Sequence, residues 1–163
     1  MERHNVFAGA FVDRSGEKRK DTDWISAAAA GPDSRFVPVW RDRCLVGGDP
    51  PRLRMLDAAA VGDVPSADDE LVFLGLFRDG PAFAFAVGGD APPYATLGEF
   101  ADLRFIGTAL PPDEANLAAH ARALMFWHRT TLYCVRCGSP SRPDAGGNMR
   151  RCVSEGCQRV MFP

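Results

Sequence analysis

Two close cysteine pairs near the C-terminus constrain this chain more than any other feature. They read Cys134-Val135-Arg136-Cys137, then fourteen residues, then Cys152-Val153-Ser154-Glu155-Gly156-Cys157. A zinc ion takes four soft ligands at tetrahedral corners, and thiolates a few residues apart on a tight turn supply two corners per pair. The spacing therefore predicts a zinc ribbon with Cys134, Cys137, Cys152 and Cys157 as metal ligands. With all four positions filled by protein, no position is open to water or substrate, so the expected role of the metal is structural. It supplies folding free energy to a segment too small to fold on apolar burial alone. Gly138 gives the first knuckle its turn, and Gly146-Gly147 make the distal turn of a small hairpin that returns through Met149-Arg150-Arg151 to Cys152.

The rest of the chain has room for one ordinary core. At 163 residues, 46% hydrophobic and 25% charged, its composition is that of a globular protein. The expected organisation is an α+β domain over residues 1–109, built on an antiparallel sheet with packed helices, a connecting helix over 110–131, and the ribbon over 132–163. No apolar run approaches the roughly 20 residues that span a bilayer, and the N-terminus lacks the apolar stretch of a signal peptide. A soluble cytoplasmic protein is expected, in which clustered cysteines bind metal rather than form disulfides. Cys44 is left over, in the run Cys44-Leu45-Val46, and suits a small buried hydrophobe.

The formal net charge of −2 is unevenly spread. The last stretch holds Arg129, Arg136, Arg142, Arg150, Arg151 and Arg159 against Asp144 and Glu155. Four thiolates on a divalent ion would offset half of that excess. The result is a mildly basic patch, compatible with phosphate nearby and weaker than a nucleic-acid-binding arm.

Along the chain, Asp13 to Asp21 reads as a charged surface loop. Asp23 is placed to cap a short helix over Trp24–Ala30, with Gly31-Pro32 ending it and Trp24 and Ile25 anchoring it. Phe36 to Trp40 alternates as a strand, and Pro38 predicts an edge position. Cys44–Val46 and Arg52–Leu56 continue as a meander across the turn Gly47-Gly48-Asp49-Pro50. Leu71–Phe77 and Ala82–Val87, joined at Arg78-Asp79-Gly80, predict a central antiparallel hairpin. Thr96 with Glu99 resembles a capping box and predicts a helix over Leu97–Arg104. A longer helix starts at Pro111-Pro112-Asp113-Glu114 and runs to about Arg129, with Leu117, Ala121, Leu124 and His128 at helical spacing. Its apolar surface suits packing against both the sheet and a neighbouring subunit, and suits the core of a monomer equally. His120 and His128 share this helix, but a metal would need a third ligand, so both read as core or surface residues.

The inventory of catalytic groups is thin. There is no Gly-rich phosphate loop, no nucleophile elbow, no H-E-x-x-H and no paired glutamates of the kind that gather magnesium. Asp68-Asp69-Glu70 is the densest carboxylate cluster and reads as a solvated turn.

Several stretches nonetheless resemble one known family. They are Asp13-Arg14-Ser15 with Arg19-Lys20-Asp21 and Trp24, Arg35 to Arg41, Phe73-Leu74-Gly75-Leu76, and Phe100 to Arg104. Ala121 to Leu124 with Trp127-His128, the ribbon start Tyr133-Cys134-x-x-Cys137-Gly138-Ser139-Pro140, and Phe162-Pro163 continue the match. Together they are similar to the N-terminal region and ribbon of bacterial NADH pyrophosphatases in the Nudix hydrolase superfamily. The resemblance implies an enzyme that splits the diphosphate of NAD(H) with Mg2+ or Mn2+ bound in a C-terminal Nudix domain, and in some members removes NAD caps from RNA. The sequence reaches only Phe162-Pro163, where that domain is expected to begin. The expectation is therefore a domain or truncated product that is inactive alone, helps the parent form a homodimer and frames its substrate site. No catalytic residue can be assigned. Phe162 matches a position resembling a base-stacking residue of the family, and as an aromatic it also suits a core.

Two positions depart from the family pattern. The second knuckle is Cys-x4-Cys where Cys-x2-Cys is more usual, and Gln158 follows where glycine is common. Both are compatible with zinc-ligand spacing and a looser turn. The alternative reading is a zinc-ribbon module for nucleic-acid binding or protein interaction, carried by Arg136, Arg142, Arg150, Arg151 and Arg159.

Overall fold

A computed structural model describes residues 5–62, 71–78 and 80–163; the carboxylate run Asp68-Asp69-Glu70 and the hairpin residue Asp79 lie outside them. A 3-10 turn at Lys18–Lys20 leads into helix α1, Thr22–Ala30. Its cap is Asp21, not Asp23: the Asp21 carboxylate accepts the Trp24 amide at 2.9 Å. A capping side chain must stand outside the helix to reach an amide three residues on, whereas Asp23 is already inside the first turn, where it faces the positive end of the dipole.

Strands β1 (Arg35–Trp40), β2 (Arg43–Gly47) and β3 (Arg52–Leu53) form the expected antiparallel meander. A short helix α2, Ala58–Val61, follows. Strands β4 (Val72–Phe77) and β5 (Gly80–Ala86) form the expected hairpin. The sheet runs β3-β2-β1-β5-β4, with β6 (Glu99–Ala101) also paired to β2. Helices α3 (Leu103–Ile106) and α4 (Pro112–Thr130) complete the N-terminal body. A separate sheet of β7 (Ser141–Asp144), β8 (Met149–Cys152) and β9 (Val160–Met161) makes the ribbon. The fold is α+β and mostly antiparallel.

Three expectations change. First, β1 is interior: it pairs in parallel with β5 from Arg35↔Ala82 to Val39↔Ala86 and with β2 on its other side. Pro38 is tolerated because of a gap. The Phe36 amide donates to Leu56 O at 2.8 Å on the side away from β5, and β2 joins only at Val39 and Trp40. Strand geometry points residue 38 into the space between, where no ladder bond is lost. Second, the β4–β5 hairpin is not central, since β4 ends the strand order. Third, Leu97–Arg104 is not one helix. Glu99–Ala101 extends to pair with β2, and α3 starts only after Asp102, which accepts the Arg104 amide at 2.9 Å. Pairing with a buried strand outweighs the local capping signal at Thr96.

The large-small alternation of β5 explains the layering. Phe83 and Phe85 face α1 with Phe36 and Phe73, and the stacked Phe36 and Phe83 rings lie 5.5 Å apart. Ala82 and Ala84 face the other way, with Val72 and Leu74, against Ala115, Ala118 and Ala121 of α4. Small residues on both sides let the helix lie close on the sheet, while the aromatics fill the wider gap under the short α1. The sheet is thus buried on both faces, which is why β1 and β4 show no exposed face.

The N-terminus of α4 is clamped by Glu114, whose side chain is 2% exposed. It accepts Arg52 Nε at 3.0 Å, the Leu53 amide at 2.9 Å and Arg78 Nη2 at 2.9 Å. Burial alone would raise its pKa, but the bonds to Arg52, Leu53 and Arg78 outweigh burial and hold it below the ordinary carboxylate value. A depressed pKa contributes stability that is present above the unfolded value and is lost as pH falls through the folded one. Glu114→Gln is expected to lower neutral-pH stability by about 1–3 kcal/mol, read from the denaturant midpoint. The gap between wild type and variant should close as pH drops from 4.5 through the lower folded pKa.

Candidate metal centre and ribbon exit

Helix α4 delivers the chain straight into the first knuckle. Its end is fixed to the ribbon by Ser141, whose Oγ donates to Thr131 O and whose amide donates to Leu132 O, each at 2.9 Å. The Gly138 amide closes the knuckle on Cys134 O at 2.9 Å, with Gly138 at φ 73°. The second knuckle closes as the amides of Cys157 and Gln158 both donate to Ser154 O at 3.0 Å. Gln158 sits at φ 48°, the left-handed conformation that glycine adopts most cheaply. The looser Cys-x4-Cys loop therefore keeps the turn and accepts a small backbone cost.

The sulfurs of Cys134, Cys137, Cys152 and Cys157 all lie within 4.8 Å of one another, a group that could hold a metal ion such as zinc. Zinc thiolates at about 2.3 Å from the ion form a tetrahedron with edges of about 3.8 Å. Cys134 and Cys157 sulfurs are 3.8 Å apart and those of Cys137 and Cys152 3.4 Å, far beyond a covalent bond, and all four cysteines are free. The Arg136 amide points at Cys134 Sγ from 3.4 Å, and the amides of Arg136 and Cys137 lower that thiol's pKa. Bonds from Ser139, first through its hydroxyl and then its amide, bring Cys137 down to about 6. Burial pushes Cys152 up to about 12. A bound cation would bring all four to the thiolate. Cys44 lies apart, fully buried behind α4, with its thiol pushed up to about 12 by burial. It is a core residue, as expected.

The ribbon is not a free appendage. His128 is fully buried and Arg150 is 3% exposed. His128 Nε2 lies 2.6 Å from Gly147 O, and Arg150 Nη1 lies 2.9 Å from His128 Nδ1. A carbonyl can only accept and a guanidinium can only donate, so the ring is the neutral tautomer protonated at Nε2. Arg150 also donates from Nε to Ser141 Oγ at 2.9 Å and from Nη2 to Ser141 O at 2.8 Å. The hairpin turn then seats on the sheet: the Phe73 amide donates to Gly146 O at 2.8 Å, and Asn148 Nδ2 donates to Phe73 O at 2.7 Å. Gly147, at φ 76°, admits no Cβ, which would stand 2.8 Å from Val72 Cγ2. Its glycine is required by this seat as well as by the turn.

His128 was expected in the core or at the surface; it is in the core and is also the tie to the ribbon. His120 is half-buried against Arg14 and belongs to no group that could hold a metal among the described residues. Of the arginines read as a basic patch, Arg150 is buried inside the junction, and Arg151 is paired with Asp144 at 2.6 Å. Phe162 is 71% exposed, so it is not a core aromatic. It borders a cleft of about 430 Å3 lined also by Gly16, Arg19, Lys20, Asn148 and Arg151. That Arg19 and Lys20 join the ribbon exit has no local sequence signal, since they lie far away in the chain.

An α+β body with a tetracysteine ribbon locked onto its sheet edge defines a two-part module. Residues 33–127 match the model of the NADH pyrophosphatase-like rudimentary NUDIX domain. The chain belongs to this family. The NAD-capped RNA hydrolase NUDT12 of Macaca fascicularis is 28% identical over 195 residues, covering 96% of this chain and 42% of that protein. The NAD-capped RNA hydrolase NudC of Deinococcus radiodurans is 35% identical over 138 residues, covering 82% of this chain and 43% of the relative. Nudix hydrolase 19, chloroplastic, of Arabidopsis thaliana is 28% identical over 150 residues, covering 83% and 32% respectively. The chain thus spans less than half the length of the curated relatives it matches.

His128→Leu leaves the buried Arg150 without one of its acceptors and removes the Gly147 tie. It is expected to cost about 1–3 kcal/mol by denaturant unfolding. Pairing it with Arg150→Met should recover part of the loss, because the two side chains act as one unit.

Proposed function

We propose that these residues form the non-catalytic N-terminal and zinc-binding portion of an NAD(H) diphosphatase. In this reading Cys134, Cys137, Cys152 and Cys157 bind one structural zinc, and Phe162 offers a stacking face to a nucleotide ring. A C-terminal Nudix domain with bound Mg2+ or Mn2+ would split the diphosphate of NAD(H) or of NAD-capped RNA. The family match over residues 33–127 carries the reading. The similarity to NUDT12 and NudC, both NAD-capped RNA hydrolases, supports the substrate class.

Three acidic groups at the starts of α3 and α4 give it further support. Glu114 is held by Arg52 and Arg78, Asp113 by Arg78 and Asp102 by Arg104. Carboxylates committed to arginines are poor magnesium ligands. Phe126, Leu132, Tyr133 and Val135 are exposed around the junction of α4 and the first knuckle, which favours a homodimer. Among the described residues no helix is long and apolar enough to cross a membrane; the location proposed is cytoplasmic. The alternative, a nucleic-acid or protein-interaction ribbon, is weakened by the burial of Arg150 and the pairing of Arg151.

The test compares residues 1–163 with the same residues joined to a Nudix domain, each given NADH and Mg2+. Nicotinamide mononucleotide and AMP should appear only in the second case, and elemental analysis should find about one zinc per chain. Hydrolysis by residues 1–163 alone, or a zinc content near zero, would overturn the assignment.

A further inference from the structure

The cleft beside Phe162 joins two parts of the chain that the sequence keeps far apart: the Gly16–Lys20 segment and the ribbon hairpin. Its volume of about 430 Å3 falls within the range of small-ligand sites. The ribbon contributes an exposed ring, Phe162, and small or apolar walls from Ala145, Met149 and Val160. The charge within it is one-sided. Arg151 is neutralised by Asp144 at 2.6 Å. Among the described residues Arg19 has only a main-chain partner, its Nε donating to Arg14 O at 3.3 Å, and neither Arg19 nor Lys20 has an acidic partner.

Arg19 is half-buried, unlike the solvated arginines that need no counterion. Its neighbours register the surplus. Burial first and then Arg19 lower the pKa of Arg14, and burial, Arg14 and Arg19 together bring His120 down to about 3. A half-buried guanidinium and an ammonium lining a cleft with an aromatic wall suit a phosphate carried by a ring. Such a group supplies the missing negative charge and leaves its base free to stack on Phe162.

We propose that Arg19 and Lys20 form a phosphate subsite in this cleft, taking the phosphate of a nucleotide whose base lies on Phe162. The inference rests on the proposed NAD(H) diphosphatase function for the identity of the ligand, and on the cleft and its charge for the site. The phosphate comes from a free dinucleotide or from the first residues of an RNA. Either source presents the same phosphate ester next to an aromatic base.

The test is calorimetric titration of residues 1–163 with AMP, adenosine, NADH and a short 5′-phosphorylated RNA. AMP should bind more tightly than adenosine, and its affinity should fall with salt. Arg19→Gln with Lys20→Gln should weaken AMP binding by about tenfold or more, the effect of losing a charge-assisted bond, and leave adenosine unchanged. NADH and RNA should share the loss if both use the subsite, and a loss confined to one identifies the source. Lys20 is exposed, so Lys20→Gln alone carries the test if the double variant does not fold. AMP bound no better than adenosine, or bound equally by wild type and variant, would overturn the subsite. The two readings fail separately. With a Nudix domain joined, NADH hydrolysis whose KM ignores the double variant removes the subsite and keeps the function. Charge-dependent AMP binding without any hydrolysis keeps the subsite and removes the function.

Discussion

His128 holds two hydrogen bonds of opposite sense, donating through Nε2 to Gly147 O at 2.6 Å and accepting at Nδ1 from Arg150 at 2.9 Å. Only the neutral ring can do both. The residue lies two turns from the sheet-packed centre of α4, and Gly147 and Arg150 belong to the ribbon. Through Arg150 the same network reaches Ser141 and from there the carbonyl of Thr131 at the helix end. A ribbon that would otherwise be tethered at one point is held at the helix end, at the ring of His128 and along β4. Fully satisfied buried polar groups of this kind fix a single geometry, because any displacement leaves charge and carbonyls unpaired in a dry interior.

Docking also resolves a problem of the sheet. Strand β4 ends the strand order, and an open edge invites pairing with other chains. Here the edge is closed from both ends of the sequence. Asp13 exchanges two backbone bonds with Leu76, at 3.0 and 2.7 Å, and Gly146 with Asn148 covers Phe73. The four sulfurs converge beside the hairpin whose turn makes the second contact, so a metal there would act on the sheet edge as well as on the ribbon. The exit at Phe162 is set by the same frame, because β9 pairs with β8 immediately before it.

Much of this was legible in the residues. The cysteine spacing, the meander, the hairpin, the long helix and the Gly146-Gly147 turn are local patterns, and the structure has them. What failed was non-local. Pro38 reads as an edge residue because its missing amide is costly in a ladder, yet tertiary pairing leaves a gap at that point. Thr96 and Glu99 read as a capping box because nothing in the sequence shows that Phe100 will pair with Leu45. Asp23 and Asp21 are equally good caps by type, and only the helix register chooses between them. The parallel pairing of β1 and β5, the burial of Glu114 and the conversion of Arg150 from surface charge to junction residue have no local signature. The same holds for the approach of Arg19 and Lys20 to the ribbon exit.

A metal held by the four cysteines would couple the ribbon to the sheet edge, and that coupling is a physical property of the amides at the edge. It is tested most directly by hydrogen exchange at the Phe73 amide, which donates to Gly146 O at 2.8 Å. Removing metal with a chelator should open the ribbon turn and speed exchange at Phe73, while amides of the β1–β5 ladder stay protected. Equal protection of Phe73 with and without chelator would contradict the account.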